Sequence, residues 1–234
     1  MKKYKVFVNV ISNIIIIAMI FGLYVACVPT DLAAAFKPIY RVETNENCVA
    51  IMINVYQGSE YVEDMLEIFE RYEVKCTFFV GGIWVSKNHD IIKRMAQSHE
   101  IGNHGYLHRD HAKLNAKQNK EEIVLCEKLV EEITGVKTRL FAPPSGSIGD
   151  TMLSVCEELD YKVIMWSKDT IDWRDKDYQL VVSRATKEVK SGDMILMHPT
   201  EHTVKALPQI LDAYRKKGLT PVTVSRLLKI DNNY

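Results

Sequence analysis

The sequence has none of the cysteine patterns that hold small secreted domains or zinc ribbons together. Its five cysteines include no Cys-x-x-Cys pair, and four of them are widely separated, at Cys48, Cys76, Cys126 and Cys156. We interpret these four as buried thiols rather than metal ligands. An extracellular compartment would also permit disulfides, and the spacing does not decide whether one forms.

Neither an excess of charge nor a phosphate-binding glycine motif is present. Lys and Arg together number 30, as do Asp and Glu, so the formal net charge is zero and no basic stripe indicates a nucleic-acid partner. The 11 glycines form no Gly-x-Gly-x-x-Gly turn. The sequence therefore disfavours both a nucleic-acid-binding protein and a dinucleotide-dependent or redox enzyme.

A long hydrophobic run occurs near the N-terminus. Residues 6–28 are mostly apolar and follow three lysines among residues 2–5. This pattern is typical of a secretory signal or a single-pass membrane anchor, and it predicts that the lysines stay in the cytoplasm. The Ala26-Cys27 pair is a poor lipoprotein cleavage site, so we favour an uncleaved anchor over residues 1–28. The rest of the chain would face the extracellular side of the cell membrane, or would be secreted if the segment were cleaved.

The rest of the chain alternates short apolar runs with longer amphipathic segments. Seven strands are predicted, at Val49–Val55, Cys76–Val80, Glu100–Asn103, Arg139–Ala142, Lys162–Trp166, Met194–Met197 and Thr220–Val224. Six helices are predicted between them, at Tyr61–Tyr72, Asp90–Ser98, Lys117–Thr134, Thr151–Leu159, Gln179–Lys190 and Val204–Lys217. This alternation predicts an α/β domain over residues 48–230, a distorted parallel (β/α)7 barrel similar to a TIM barrel. Residues 29–47 show little periodicity and are predicted to be a stalk or linker.

Two histidines follow the third predicted strand. His104 and His108 are four residues apart, so on a helical turn their imidazoles lie on one face and can bind the same cation. The apolar residue Ile101 just before them indicates the end of a buried strand, where barrel enzymes place their chemistry. The alternative is a pair of solvated loop histidines. We favour a metal site because other polar residues also follow strands.

Polar and special residues follow four other predicted strands. They are Asn54, Pro143, Asp172, Trp173 and His198. The carboxyl ends of parallel strands converge on one mouth of a barrel, so these residues are expected to share a site with the histidine pair. Each also has an ordinary structural interpretation, such as a turn for Pro143, a helix cap for Asp172 and core packing for Trp173.

The order of these motifs resembles the polysaccharide deacetylases of carbohydrate esterase family 4. The resemblance covers about Val49 to Leu228 and is strongest in residues 75–82 (KCTFFVGG), 99–108 (HEIGNHGYLH), 166–173 (WSKDTIDW) and 195–198 (ILMH). Enzymes of this family have a distorted barrel and remove acetyl groups from N-acetylated sugars with a metal-activated water. The resemblance implies a hydrolase of non-peptide carbon–nitrogen bonds that acts on a cell-wall glycan, expected to be peptidoglycan, with a divalent metal, expected to be zinc.

The same resemblance implies catalytic and metal-binding roles for four residues. His104 and His108 would be the metal ligands. His198 would be the general acid that protonates the leaving amine, and Asp172 would orient it. These residue types suit the reaction, because a cation polarises the amide oxygen and a histidine titrates near neutral pH.

Three further residues are implied to contact the substrate. Trp173 and Met197 would wall the pocket that receives the acetyl methyl group, and Pro143 would line the substrate groove. The glycan, reached from a membrane-anchored domain, is the expected partner. The sequence does not decide the oligomeric state.

The chain departs from the family pattern in its first and third motifs. Asn54 falls where the family has its aspartate base, and either Val55 or Tyr56 falls on the third metal ligand. Ala142 replaces the arginine that pairs with the base. Loss of a general base typically costs about 10²–10⁴ in rate. A replacement could come from four residues near the predicted mouth, namely Glu60, Asp110, Asp169 and His111.

Two functions are therefore expected from the sequence. One is a metal-dependent deacetylase of cell-wall glycan, for which His104, His108, Asp172 and His198 are the motivation. The other is a catalytically impaired glycan-binding or structural protein of the cell envelope, for which Asn54 is the main motivation. A branch of the family associated with sporulating bacteria resembles this chain in having an Asn in its first motif, which favours a variant site over random decay.

Overall fold

The computed structural model describes residues 14–20 and 36–230. Residues 14–20 are helical, and a compact unit begins at Lys37. Among the described residues, no helix is long and apolar enough to cross a membrane. Most of the predicted signal or anchor segment, residues 1–28, lies outside the described residues, so its membrane insertion stays a prediction.

Parallel strands form the centre of the domain. They are β1 (Cys48–Val55), β2 (Thr77–Val80), β3 (Glu100–Asn103), β4 (Leu140–Phe141), β5 (Lys162–Val163), β6 (Lys168–Asp169), β7 (Met194–Met197) and β8 (Thr220–Val222). Seven of them follow the order β5-β4-β3-β2-β1-β7-β6, and β8 pairs with the first three residues of β1. All seven predicted strands are present, and β6 adds to them. The curled parallel sheet agrees with a distorted (β/α)7 barrel.

Helices lie between the strands. They are α1 (Val62–Arg71), α2 (Gly82–Val85), α3 (His89–Ser98), α4 (Ala116–Thr134), α5 (Asp150–Glu158), α6 (Tyr178–Thr186), α7 (Glu201–Lys216) and α8 (Val224–Leu228). The six predicted helices correspond to α1, α3, α4, α5, α6 and α7. Helix α4 begins at a reciprocal capping box between Asn115 and Gln118 and ends at Gly135, whose φ of 75° suits glycine.

Strand β1 separates two parts of the hydrophobic core. Successive side chains of a strand point to opposite faces. Val49, Ile51, Ile53 and Val55 therefore pack in one large cluster with residues of the helices, while Ala50 and Met52 pack in a smaller cluster on the other face. Asn54 shares the alternation of Ala50 and Met52, so it lies at the carboxyl end of the inner face. The four cysteines from Cys48 onward are buried free thiols, as predicted.

The segment just before β1 bonds to the backbone beside β5, an edge strand of the sheet, and beside β7, an inner strand. Ile39 forms a parallel bridge with Ile164, and Arg41 forms an antiparallel bridge with Asp193. The Ile39 amide donates to the Val163 carbonyl at 2.9 Å, and its own carbonyl accepts from Met165 at 2.8 Å. These residues belong to the predicted linker 29–47, and in the structure residues 39–42 bond to the backbone of the domain. We call residues 39–42 the edge strap.

Candidate functional site

The loop after β3 fixes the imidazole of His104. Its Nδ1 lies 2.7 Å from the carbonyl oxygen of Ala142, which can only accept a hydrogen bond. The proton therefore sits on Nδ1, and Nε2 keeps a free lone pair, as a metal ligand requires. The side chain is 1% exposed. Burial, and next the neighbouring His108, lower the pKa of His104 to about 3, so this imidazole is neutral at physiological pH.

His108 belongs to the same loop as His104 but has a different environment. Its ring centroid lies 5.1 Å from that of His104, which brings the predicted pair together. Tyr56 stacks on its other side, with ring centroids 3.6 Å apart and planes at 20°. The φ of His108 is 54°, an uncommon value for a residue with a side chain. Burial lowers the pKa of His108 from its ordinary value.

A buried carboxylate holds this loop, and the sequence argument missed it. Glu122 on α4 is 3% exposed, and its Oε2 accepts hydrogen bonds from the amides of Tyr106 at 2.9 Å and Leu107 at 2.7 Å. Asn103 Oδ1 accepts from the Gly105 amide at 2.9 Å. The signal was available in principle, because Glu122 interrupts the apolar face that Ile123 and Cys126 continue on α4.

His198 and Asp172 form the hydrogen bond that the family resemblance implied. His198 Nδ1 lies 2.7 Å from Asp172 Oδ1. Asp172 is fully buried, and its Oδ2 accepts from the His198 amide at 2.6 Å and from Thr203 Oγ1 at 2.6 Å. Because Nδ1 donates to the carboxylate, Nε2 of His198 is left for a ligand. Thr203, which the sequence argument also missed, completes the support of the carboxylate.

The end of β1 offers an amide where the family pattern has a carboxylate. Asn54 is 3% exposed, and its Oδ1 has no hydrogen-bond partner among the described residues. Val55 is fully buried in the cluster on the helix side of the sheet, so it points away from the histidines. Tyr56 is the residue that reaches them. Of the two candidates for the third-ligand position, Tyr56 is therefore the one that lies beside the histidines.

The predicted replacement groups are engaged or placed elsewhere. His111 is fully buried, with Nδ1 2.7 Å from Asn119 Oδ1. Asp110 contacts Lys113 at 2.8 Å and also Ser147, while Asp169 Oδ1 accepts from the Ile171 amide at 2.8 Å. Glu60 alone among the four lines the pocket described below.

These positions bear on the expected metal. Among the described residues, no group of three or more His, Cys, Asp or Glu side chains is arranged to hold a metal ion. A catalytic zinc usually has three protein ligands. His104 and His108 supply two, and an aromatic ring stands at the third position. The residues present therefore do not fit the catalytic metal centre that the sequence resemblance implied.

A pocket of about 440 Å³ opens beside these groups at the carboxyl ends of the strands. Asn54, Tyr56 and Trp173 line it together with His198 and the start of α7. Trp173 is 60% exposed, so its ring is available to a ligand. Sugars commonly present apolar faces, and an exposed aromatic ring is a suitable surface for them.

Two predicted substrate contacts are not in this pocket. Met197 is fully buried in the cluster on the helix side of the sheet, because the alternation of β7 turns it away from the mouth. Pro143 is also buried. Neither residue lines the pocket, and the implied acetyl-pocket role of Met197 has no support from its position.

Comparison with known proteins agrees with this geometry. A family model described as polysaccharide deacetylase matches residues 41–164. The uncharacterized protein YlxY of Bacillus subtilis is 38% identical over 82% of this chain, which spans 60% of the length of YlxY. A peptidoglycan-N-acetylglucosamine deacetylase of Bacillus cereus is 32% identical over 81% of this chain and 92% of its own length.

One solved structure of similar fold is described as a pseudoenzyme. BA3943 of Bacillus anthracis, described as a CE4 family pseudoenzyme, superimposes with a TM-score of 0.80 at 33% identity, over 83% of this chain and 70% of its own. A BA3943 mutant described as having restored enzymatic activity gives the same TM-score of 0.80 at 32% identity. Chains of this fold thus include proteins named as enzymes and a protein named as a pseudoenzyme.

Proposed function

This chain belongs to the polysaccharide deacetylase family, and from that premise we propose that it binds a cell-wall glycan of amino sugars without the turnover of an active deacetylase. The observation that carries the proposal is Asn54 at the carboxyl end of the inner face of β1. A side-chain amide does not accept a proton at neutral pH. The groove therefore keeps aromatic and polar groups for a glycan but lacks a base at this position to activate water.

Two further features support impaired turnover. Ala142, fully buried, replaces the arginine expected beside the base, so both members of that pair are absent. Tyr56 stacks on His108 where the family pattern has a third ligand. The similarity to a protein named as a pseudoenzyme agrees with this proposal. The choice of glycan follows the relative that is named for peptidoglycan.

A second candidate function is the metal-dependent removal of N-acetyl groups from the same glycan. The intact hydrogen bond between His198 and Asp172 favours it, since it orients the imidazole that would donate a proton to the leaving amine once Nε2 is protonated. It would need a divalent metal such as zinc, for which His104 and His108 supply two of the three protein ligands that a catalytic site usually has. This function also needs a base in place of Asn54. Two carboxylates line the pocket, and Glu60 is the one nearer to Asn54 in the sequence.

The site of action is also part of the proposal. We infer that residues 1–28 hold the domain at the cell membrane with the groove on the extracellular side, because three lysines precede the hydrophobic run. This placement brings the groove to the cell wall. A reporter enzyme fused after Tyr234 tests it: activity outside the membrane is expected, and activity confined to the cytoplasm would reverse the orientation.

The deciding experiment measures binding and turnover on one substrate. The full-length chain in detergent, with zinc added, is titrated with a tetramer of N-acetylglucosamine, and acetate release is measured in parallel. We expect binding that Trp173→Ala weakens and Leu180→Ala, a change of an exposed apolar residue outside the pocket, leaves intact. We expect no acetate above the level of the His198→Ala variant. Acetate release that His198→Ala abolishes would establish the second function, and absence of binding would overturn the first.

A further inference from the structure

The pocket beside His198 has an excess of acidic side chains. Two glutamates, Glu60 and Glu201, line it, and its basic lining residues are Lys176 and the histidines His198 and His202. Glu60 Oε2 accepts from the Ser59 amide at 2.9 Å, and backbone amides lower the pKa of this carboxyl, so it stays ionised. The buried carboxylate of Asp172 lies directly behind His198. The electrostatic potential of the pocket therefore favours a cationic ligand.

Nearby basic groups do not cancel this excess. Arg174 follows Trp173 in sequence, but its guanidinium is paired with Asp175, with Nε 2.8 Å from Oδ1. Asp175 is also bonded to Arg184 at 2.6 Å. Ala142 stands where the family pattern places an arginine. His104 is neutral, as described above. Glu60, Glu201 and the buried Asp172 thus outnumber Lys176 and the one positive charge that the two arginines keep after sharing Asp175.

The aromatic residues of the pocket add to the same preference. Tyr56, Tyr61 and Trp173 line it. The face of an aromatic ring carries negative charge density and attracts ammonium and guanidinium groups. Trp173 already has such a neighbour, since the Arg174 guanidinium carbon lies 5.9 Å from its ring centroid. Rings of this kind accept both the apolar face of a sugar and a cation attached to it.

Asn54 supplies a buried acceptor without a donor. It is 3% exposed, it lines the pocket, and its Oδ1 has no partner in the described part of the chain. A buried carbonyl oxygen without a hydrogen bond is costly, and a ligand that places an N–H group against it relieves that cost. An ammonium brings three N–H donors, and its hydrogen bonds are stronger than those of a neutral amide.

We propose that this groove selects the de-N-acetylated form of the glycan, an amino sugar with a free ammonium group, over the N-acetylated form. Asn54 accepts a hydrogen bond from the ammonium, while Glu60 and Glu201 balance its charge. The inference rests on the proposed function. It places the protein after the reaction class that hydrolyses the N-acetyl amide, because that reaction creates the ammonium the groove recognises.

Two ligands that differ only in acetylation test the proposal. A tetramer of glucosamine and a tetramer of N-acetylglucosamine are titrated into the full-length chain in detergent, with no metal added. We expect the glucosamine tetramer to bind at least about tenfold more tightly at low ionic strength. The ratio should fall when salt is raised from about 20 mM to about 300 mM, since the lining carboxylates are exposed and screened. Tetralysine, which carries ammonium groups without sugar rings, should bind more weakly than the glucosamine tetramer.

Variants connect the preference to the named residues. Glu60→Gln and Glu201→Gln should each lower the ratio of affinities at least about threefold. Asn54→Leu, which removes the acceptor at similar volume, should lower it as well. Glu132→Gln changes an exposed carboxylate of α4 outside the pocket and should leave the ratio unchanged. Because Glu60 and Glu201 are exposed, their variants keep the test valid even if Asn54→Leu fails to fold.

Each failure has a distinct meaning. Equal or tighter binding of the N-acetylated tetramer would overturn this inference and leave the proposed function standing. Binding of neither tetramer would overturn both. A glucosamine preference that survives in Glu60→Gln, Glu201→Gln and Asn54→Leu would overturn the assignment to these residues, as would tetralysine binding as tight as that of the sugar.

Discussion

Tyr56 and His108 form a stacked pair, with ring centroids 3.6 Å apart and an angle of 20° between the planes. Tyr56 comes two residues after Asn54, just beyond the end of β1, and His108 belongs to the loop after β3. The stack therefore joins the ends of two strands that flank β2, at the place where the family pattern puts a third metal ligand. An aromatic ring packed face to face on an imidazole covers that side of His108 and supplies no anionic oxygen to a cation.

The first prediction concerns this stack. Tyr56→Asp should raise zinc affinity at least about tenfold, because it exposes His108 and adds the carboxylate that a three-ligand site needs. Zinc titration of the full-length chain with a competing chelator measures the change. Tyr40→Asp, at an exposed tyrosine away from the loop, is the matched control. The prediction fails if Tyr56→Asp binds zinc no more tightly than wild type does. It also fails if the double variant His104→Ala/His108→Ala binds zinc as tightly as wild type does, because the two histidines would then not form the site.

The second prediction concerns turnover. Asn54→Asp alone should change acetate release little, because an aspartate buried without a cationic neighbour tends to stay protonated. Asn54→Asp with Ala142→Arg and Tyr56→Asp restores the base, its partner and the third ligand, and should raise acetate release at least about tenfold. Ala142 is fully buried, so its arginine needs the new carboxylate as a partner.

The control for this comparison is the same triple variant with His198→Ala, which should lose the gain. The wild-type chain should release acetate more slowly than the folded, metal-bound triple variant. If the two rates are equal, another group serves as the base. A BA3943 mutant, similar in fold to this chain, is described as having restored enzymatic activity.

The third prediction concerns Glu122. Glu122→Ala removes the acceptor for the amides of Tyr106 and Leu107, so those two amides should exchange hydrogen with solvent faster. We expect the free energy of unfolding to fall by about 1–3 kcal/mol, the cost of leaving buried polar groups unpaired. Glu121→Ala, at the adjacent exposed residue, should change neither quantity. If the amides of Tyr106 and Leu107 exchange hydrogen equally slowly in Glu122→Ala and Glu121→Ala, Glu122 does not hold this loop.

The fourth prediction is a loss of stability in acid that depends on His99. Burial, and next the charge of Lys75, lower the pKa of His99 to about 4 from an ordinary value of 6.5. Its Nδ1 accepts from the Cys76 amide at 3.3 Å, and Phe69 and Phe78 pack against its ring edge-on. A depressed folded-state pKa means that the neutral imidazole is preferred. Its contribution is complete above pH 6.5 and is lost as the pH falls toward 4.

Urea unfolding between pH 7.5 and pH 4 measures this loss, which for His99 is on the order of 3 kcal/mol. His99→Gln should make the acid decline shallower, because glutamine does not gain a proton in this range. His89→Gln, at an exposed histidine, should leave the decline unchanged. A His99→Gln variant with the wild-type decline would assign the effect to other histidines.

Much of the fold follows from the sequence because buried parallel strands are nearly continuous apolar runs. β1, β2 and β7 are such runs, and the prediction found them. β6 escaped because Lys168 and Asp169 are polar and pair only with the edge of β7. The predicted strands at Arg139–Ala142 and Lys162–Trp166 are shorter in the structure, at Leu140–Phe141 and Lys162–Val163. The edge strap bonds to the backbone just at and beyond the end of the second of these strands.

The site was partly readable in the same way. His104, His108, Asp172 and His198 come together because parallel strands end at one mouth, which the alternation predicts. Met197 was placed at the pocket although the alternation of its strand turns it to the helix side. The stacking of Tyr56 on His108 and the hydrogen bonds of Glu122 to the loop after β3 depend on how two loops and a helix pack together. The spacing of residues along the chain does not predict that packing.

The edge strap has a consequence for how the domain keeps apart from other copies of itself. Exposed edges of a sheet present unpaired amides and carbonyls that recruit strands from neighbouring molecules. Ile39 covers the Val163 and Met165 backbone, and Arg41 lies against Asp193 at 4.0 Å. A chain shortened to begin at residue 48 would lose this cover and expose β5 to edge-to-edge association. Residues 39–42 thus protect the domain against aggregation as well as leading the chain into β1.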